Sequence, residues 1–257
     1  MVTALPLERL KTVDSMGWMK YAAWDPEEYI KALREAGFTD VKMKDKTSSA
    51  GQEFQRFMLP KNAYLEEEAA ALCNIKPDHH VLELGFGPGI GLKKAAEYVE
   101  KGVGKVHGVD FSPAMVVEAI NNLPQEIEDE KVELVLGNVA SLPYRDDSMD
   151  SIFHANCYYF WPDIPLVARD LLRVLKPGGL MVTVLSLEGL KTVDSMGWMK
   201  YATWDPEEYM KALREAGFAD VKMEDKTSSA GQEFQVILSS KSCLQEDATL
   251  QACEGES

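Results

Sequence analysis

The chain is poor in positive charge: 27 Lys and Arg stand against 42 Asp and Glu, a net charge of −15. No basic cluster exceeds a pair such as Lys93-Lys94. The electrostatic footprint of a nucleic-acid binder is therefore missing, and no nucleic-acid partner is expected. Long apolar runs are missing as well. No stretch reaches the roughly 18 residues of a membrane span, and Met1 is not followed by a charged-then-apolar leader, so neither span nor signal peptide is expected. Cysteine is scarce: Cys73, Cys157, Cys243 and Cys253 show no C-x-x-C spacing. Reduced thiols in a cytoplasmic protein are the expectation, with no disulfide framework and no zinc site. His79 and His80 follow Asp78, but neighbours on a strand point apart, so they read as a solvated loop rather than metal ligands. What remains is 257 residues, 46% hydrophobic and 27% charged, enough for one α/β core with appendages.

A long internal repeat is present. Leu7–Gln55 recurs at Leu187–Gln235, offset by 180 residues. The differing pairs are Arg9/Gly189, Ala23/Thr203, Ile30/Met210, Thr39/Ala219 and Lys44/Glu224. Two distant copies do not make a stacked array, so this is a duplicated segment rather than a solenoid. In the later copy Asp205 is the N-cap of a helix, Pro206 its first residue and Gly217 its stop. Tyr209, Met210 and Leu213 form the apolar face, and Phe218 folds back onto it. A strand through Val221 and Met223, a turn at 227–231 and a closing strand Phe234–Leu238 follow. The earlier copy instead runs into Arg56 and Pro60, which suit a central strand poorly. The later copy is expected to take the place in the fold. Residues 1–55 are then an appendage, a competitor for the same slot, or an erroneous gene model; self-association through the duplicated segment is the partner reading that follows. Residues 56–241 form the main domain, and the polar, acidic tail 242–257 reads as disordered.

Between the copies, strands and helices alternate, the pattern of a parallel sheet covered on both faces. Helices are expected at Ala63–Leu72, Leu92–Val99, Ala114–Asn122 and Ile164–Leu175. Strands are expected at Val81–Leu84, Val106–Val109, Val132–Leu136, Ser151–Ala155 and Leu180–Leu185. The first strand ends in Gly85-Phe86-Gly87-Pro88-Gly89, a bend that no side chain crowds, opening onto a helix N-terminus with free N–H groups. Asp110 ends the second strand, 21 residues after Gly89. An acidic residue there accepts hydrogen bonds from ribose hydroxyls. Bend and aspartate alone also fit a nicotinamide dinucleotide.

The downstream motifs separate the two. Glu83-Leu84-Gly85-Phe86-Gly87-Pro88-Gly89 is followed by Val109-Asp110-Phe111-Ser112-Pro113-Ala114-Met115 and by Gly137-Asn138-Val139-Ala140-Ser141-Leu142-Pro143. Then come Asp150-Ser151-Ile152-Phe153 and Leu172-Arg173-Val174-Leu175-Lys176-Pro177-Gly178-Gly179. In this order and spacing the chain resembles the class I, seven-strand, Rossmann-like S-adenosylmethionine-dependent methyltransferases, in their small-molecule type 11 branch. The resemblance covers roughly residues 63–241. It implies a doubly wound α/β fold: a mostly parallel seven-stranded sheet with a reversed last strand and helices on both faces.

The resemblance also implies site residues. Gly85, Gly87 and Gly89 would pass under the methionine and ribose of the cofactor S-adenosyl-L-methionine, with Glu83 orienting its amino group. Asp110 would hold the ribose, Phe111 and Met115 would flank the adenine, and Asn138 and Val139 would border it. Many relatives carry aspartate where Asn138 stands; its amide still offers an acceptor. Asn156 would lie where the methyl faces its acceptor. In-line transfer from a sulfonium needs alignment and exclusion of water more than a strong base. Where a proton must leave the acceptor, His154 and Tyr158 are the nearest catalytic candidates, and His154 reads equally as a buried structural histidine. The expected activity is methyl transfer to a small molecule. A catalytically silent cofactor-binding scaffold and an NAD-dependent oxidoreductase are the alternatives.

Overall fold

A computed structural model describes residues 63–161, 163–195 and 204–243. The expectations for residues 1–55 and for most of the 242–257 tail fall outside the described residues. The elements are α1 (63–72), β1 (His80–Leu84), α2 (Ile90–Val99), β2 (Lys105–Asp110), α3 (Pro113–Asn122), α4 (Pro124–Glu128), β3 (Val132–Leu136) and β4 (Met149–Ala155). A short 3-10 turn (Tyr158–Phe160) leads to α5 (Ile164–Val174), β5 (Leu175–Leu185), α6 (Leu187–Ser195), α7 (Pro206–Ala216), β6 (Ala219–Thr227) and β7 (Glu233–Ser240). The seven strands form one sheet in the order β3-β2-β1-β4-β5-β7-β6. β1 to β5 pair in parallel, while β7 runs antiparallel to both β5 and β6. This is the Rossmann-like architecture with one reversed strand.

Alternation along each strand sends side chains to two cores. Leu82, Leu84, Met181 and Leu185 face α5 and α7, meeting Val167, Leu171, Tyr209 and Leu213. Val81, Phe153, Val182 and Val184 face the other way, toward Leu65 of α1, Leu92 and Ala95 of α2 and Val116 of α3. Burying a large apolar side chain contributes about 1.5–3 kcal/mol, so these two layers carry most of the fold's stability. Glu83, between Leu82 and Leu84, necessarily shares the α1–α2 face.

The later repeat copy folds as its sequence grammar says. The Asp205 carboxylate accepts from Glu207 N at 2.9 Å, Pro206 opens α7, and Gly217 closes it with φ of 108°. Phe218 N then donates to Leu213 O at 3.1 Å, which turns Phe218 back onto the core. Val236 of β7 is fully buried opposite Val184. Two differences from expectation have local causes. β5 starts at Leu175, which pairs with Met149, and a register shift before Ser151 absorbs the Pro177-Gly178-Gly179 bend. His80 is not in a solvated loop: it opens β1, and its ring stacks on His107 at 5.4 Å.

Candidate functional site

The strand order reverses between β1 and β4, and the crevice outside the carboxyl ends of such strands is where open α/β sheets bind ligands. The glycine bend lies there. Gly85 N donates to Val109 O at 2.7 Å, tying the exit of β1 to β2. Gly87 has φ of 53°, and a Cβ added to it would meet nothing nearer than Glu66 Oε1 at 3.9 Å. Glycine is required at Gly87 by backbone conformation, while the space above it stays open for a ligand to touch the main chain.

Asp110 closes the bend from β2. Its Oδ2 accepts from Gly87 N at 3.0 Å and its Oδ1 from Ser112 N at 2.8 Å. One carboxylate, 5% exposed, therefore holds both the bend and the start of α3. The neighbouring Phe111 is 40% exposed, whereas Met115 is buried on α3. After β3, Asn138 Oδ1 accepts from Ala140 N at 3.0 Å, and the half-buried Val139 packs on the α5–α7 core. After β4, Asn156 sits in the left-handed region at φ 48°, its N–H donating to Val184 O at 3.0 Å. Next to it, the Cys157 thiol donates to Leu84 O at 3.4 Å.

The N-terminus of α2 differs from the sequence expectation of free N–H groups. Leu92 N–H donates to the Glu83 carboxylate and Gly91 N–H to that of Glu66, a residue of α1. Gly91 lies so close to Glu83 that any Cβ would collide with the carboxyl group. Glu83 is 1% exposed. Burial, then Glu66, then Asp110 push its carboxyl well above the usual range. Burial foremost, with Asp110 and Glu67 adding to it, pushes Glu66 up to about 8 against the lowering bond from Gly91. The Oε2 atoms of both glutamates are shut off from solvent and have no hydrogen-bond partner among the described residues. A pyrophosphate at this terminus would meet two carboxyl groups in place of open donors, whereas a cationic group would find acceptors. The residues present fit the adenosyl sulfonium cofactor and disfavour a dinucleotide.

Sequence reasoning missed Glu66, although a signal existed. Glu66, Ala70 and Cys73 are spaced i, i+4, i+7, and the last two are buried, so Glu66 belongs to an inward face despite lying in a Glu-Glu-Glu run. His154 and Tyr158 stand apart from this group. His154 shares the other face with Tyr209 and Thr183, its Nε2 2.9 Å from each of Tyr209 Oη and Thr183 Oγ1. Burial holds its pKa down at about 3. Tyr158 is fully buried, stacked on Tyr209 at 4.3 Å, and donates to Trp204 O at 2.5 Å. The setting of His154 is that of a structural histidine.

The comparisons with known proteins agree with this geometry. Residues 82–183 match the family model described as "Methyltransferase domain". Phosphoethanolamine N-methyltransferase 2 of Caenorhabditis elegans is 28% identical over 163 residues, which are 60% of this chain and 36% of that protein. Demethylmenaquinone methyltransferase of Symbiobacterium thermophilum is 24% identical over 186 residues, 72% of this chain and 70% of the relative. The chain thus spans about a third of the length of the first relative. Among solved structures, Haemonchus contortus phosphoethanolamine N-methyltransferase 2, in complex with phosphomonomethylethanolamine and S-adenosylhomocysteine, superimposes with a TM-score of 0.58. Its identity is 17%, and the match covers 77% of this chain and 59% of that one. Residues 82–183 thus carry a methyltransferase domain, and the five ordered motifs with the seven-strand sheet and its reversed strand are those of the class I, Rossmann-like S-adenosylmethionine-dependent methyltransferases of the type 11 branch.

Proposed function

We propose that this chain transfers a methyl group from S-adenosyl-L-methionine to a small-molecule acceptor. The observation that carries the reading is the joined pair of the glycine bend and Asp110, with carboxyl groups rather than open donors at the start of α2. A carboxylate has two acceptor directions on each oxygen, so one held by backbone donors can still receive the hydroxyls of a ribose. Gly87 lets the main chain approach the same ligand, while Gly85 and Gly89 let the bend pack on Cys157 and Leu123, and Glu83 receives the ligand's cationic end. Phe111 offers an exposed ring face and Met115 a soft apolar contact for a purine, with Asn138 and Val139 along its edge.

When bound, the cofactor supplies a methyl group already activated by a sulfonium leaving group. The residues of the chain align the partners and keep water out; no strong base is required of them. Asn156, in the left-handed conformation just past β4, would border the place of transfer. In this reading His154 and Tyr158 fix the opposite face of the sheet, because a general base must come within hydrogen-bond reach of the proton it takes. The relatives act on chemically different acceptors by their names, which supports a small molecule without choosing one. The absence of a basic cluster in the sequence favours the same class over nucleic acid.

Calorimetric titration of the full chain with S-adenosylmethionine, and separately with NAD, tests the cofactor. Sulfonium binding without NAD binding is expected, and the reverse would overturn the proposal. Incubation with isotopically labelled donor and a metabolite extract then identifies the acceptor by mass spectrometry. Donor binding with no labelled product from any extract would favour the scaffold alternative.

A further inference from the structure

We propose that Glu66 is a donor-recognition residue, which with Glu83 presents a carboxyl pair at the glycine bend that binds the cationic portion of the methyl donor. The inference rests on the cofactor reading above and extends it to α1, an element outside the strand–bend–helix unit. Three observations meet at this point. Glu66 Oε1 is the nearest heavy atom to the space above Gly87, at 3.9 Å from where a Cβ would stand. Glu83 is 1% exposed, yet its Oε2 lacks a partner among the described residues, as does the shielded Oε2 of Glu66. A buried carboxyl oxygen left without a donor is unfavourable by about 1–3 kcal/mol, and among the described residues Glu66 and Glu83 are the carboxyl groups so left, the other unpartnered atoms being neutral ring nitrogens and hydroxyls.

Besides burial, the groups acting on Glu66 are the Gly91 N–H from α2, Asp110 from β2 and Glu67 from α1. Those acting on Glu83 are Glu66, Asp110 and the Leu92 N–H, and the Cys73 thiol just after α1 is in turn pushed up by burial and by Glu83. No lysine or arginine acts on either carboxyl among the described residues. In the free protein the pair therefore holds a proton at neutral pH. A ligand bearing a sulfonium and an ammonium replaces that proton with positive charge of its own. Donor binding then releases a proton, and the demethylated product, which lacks the sulfonium charge, is held less firmly by the same pair.

The test is calorimetry of the full chain with S-adenosylmethionine and S-adenosylhomocysteine between pH 6 and 7.5, in buffers of differing ionisation enthalpy, alongside thermal melting. Wild-type protein is expected to release up to about one proton on binding the donor and to bind it more tightly as pH rises. Glu66→Gln should lose about tenfold in donor affinity, less for the product, and release fewer protons. Its donor-free melting temperature should equal or exceed that of the wild type, since a repelled carboxyl is gone; Glu66→Ala provides a second variant with the same expected pattern in binding. Unchanged donor affinity and proton count in a folded Glu66→Gln protein would overturn the inference, and so would a lower donor-free melting temperature. Failure of the wild type to bind the donor at all would instead overturn the cofactor reading.

Discussion

The two ends of the sheet carry similar residues in opposite electrostatic conditions. At the amino ends of the strands, Asp150 Oδ2 accepts from His80 N and its Oδ1 from Lys176 Nζ, both at 2.7 Å. Burial raises its pKa, but these bonds outweigh burial and leave the carboxyl below its usual range. Nearby, His107 Nδ1 lies 3.0 Å from Glu133 Oε2, and burial, then His107, lower the pKa of the His80 ring. At the carboxyl ends, Glu66 and Glu83 are raised instead and keep oxygens without donors. Among the described residues the carboxylate of one end is held by donors of the chain, while the two carboxyl groups of the other keep an oxygen without one; the unpartnered atoms at the amino ends are the neutral ones of His79, Tyr144, Ser151 and Ser239. That contrast between carboxyl groups, together with the glycine bend, is what points to a ligand at the carboxyl ends.

The largest effect that could break the comparison is at Asp110. We expect Asp110→Ala to weaken donor binding on the order of 100-fold, since charge-assisted hydrogen bonds contribute about 1.5–3 kcal/mol each; titration leaving the dissociation constant within threefold would refute its role. Gly87→Val should come next. A β-branched residue at φ of 53° loses roughly 1–2 kcal/mol of stability, and its side chain fills the open approach, so donor binding should fall further than stability does. A melt lowered in step with binding would reduce the bend to a structural turn.

The third prediction concerns pH. Glu83 and Glu66 have folded pKa values above their unfolded ones, so the folded state binds more protons than the unfolded state in that window. Donor-free stability should therefore fall as pH rises from the ordinary carboxyl range toward about 8, the folded value for Glu66. Glu83→Gln should flatten that decline in thermal melts, and an unaltered slope would show that the pair does not carry it. The smallest effect belongs to the satisfied end. Asp150 is depressed, so its contribution is present above its unfolded pKa and fades as pH falls through the folded one. Asp150→Asn should cost about 1 kcal/mol at neutral pH, in keeping with a partly exposed pair, and leave donor affinity within twofold. A larger loss of binding would mean that the two ends are coupled.

Much of this was readable in the chain. The strand–helix alternation placed every parallel strand, because apolar runs separated by amphipathic helices admit few other arrangements. The cap at Asp205 and the stop at Gly217 were local chemistry and held as such. Less readable were α4, α6 and the turn at Tyr158–Phe160, whose short segments carry too few periods to distinguish. The meeting of Asp110 with the glycine bend was legible because motif spacing encodes backbone geometry. The approach of Glu66 to Glu83 was not, because it is a tertiary encounter that no local pattern records. His154 was ambiguous for a related reason: one strand position faces either the crevice or the core, and parity with Leu82 rather than with Glu83 decided it.

The reversed β7, lodged between β5 and β6, has a bearing on the order of assembly. A chain growing from its amino end makes Tyr29, Leu33 and Phe38 long before Tyr209, Leu213 and Phe218, which fill the hollow beside β5. The earlier trio matches the later one letter for letter, but its following segment puts Arg56 where Val236 lies buried against Val184. If the earlier copy contends for this hollow, β7 must displace it, and removal of residues 1–55 should then speed refolding. Equal refolding rates with and without that segment would mean the early copy never contends for the hollow.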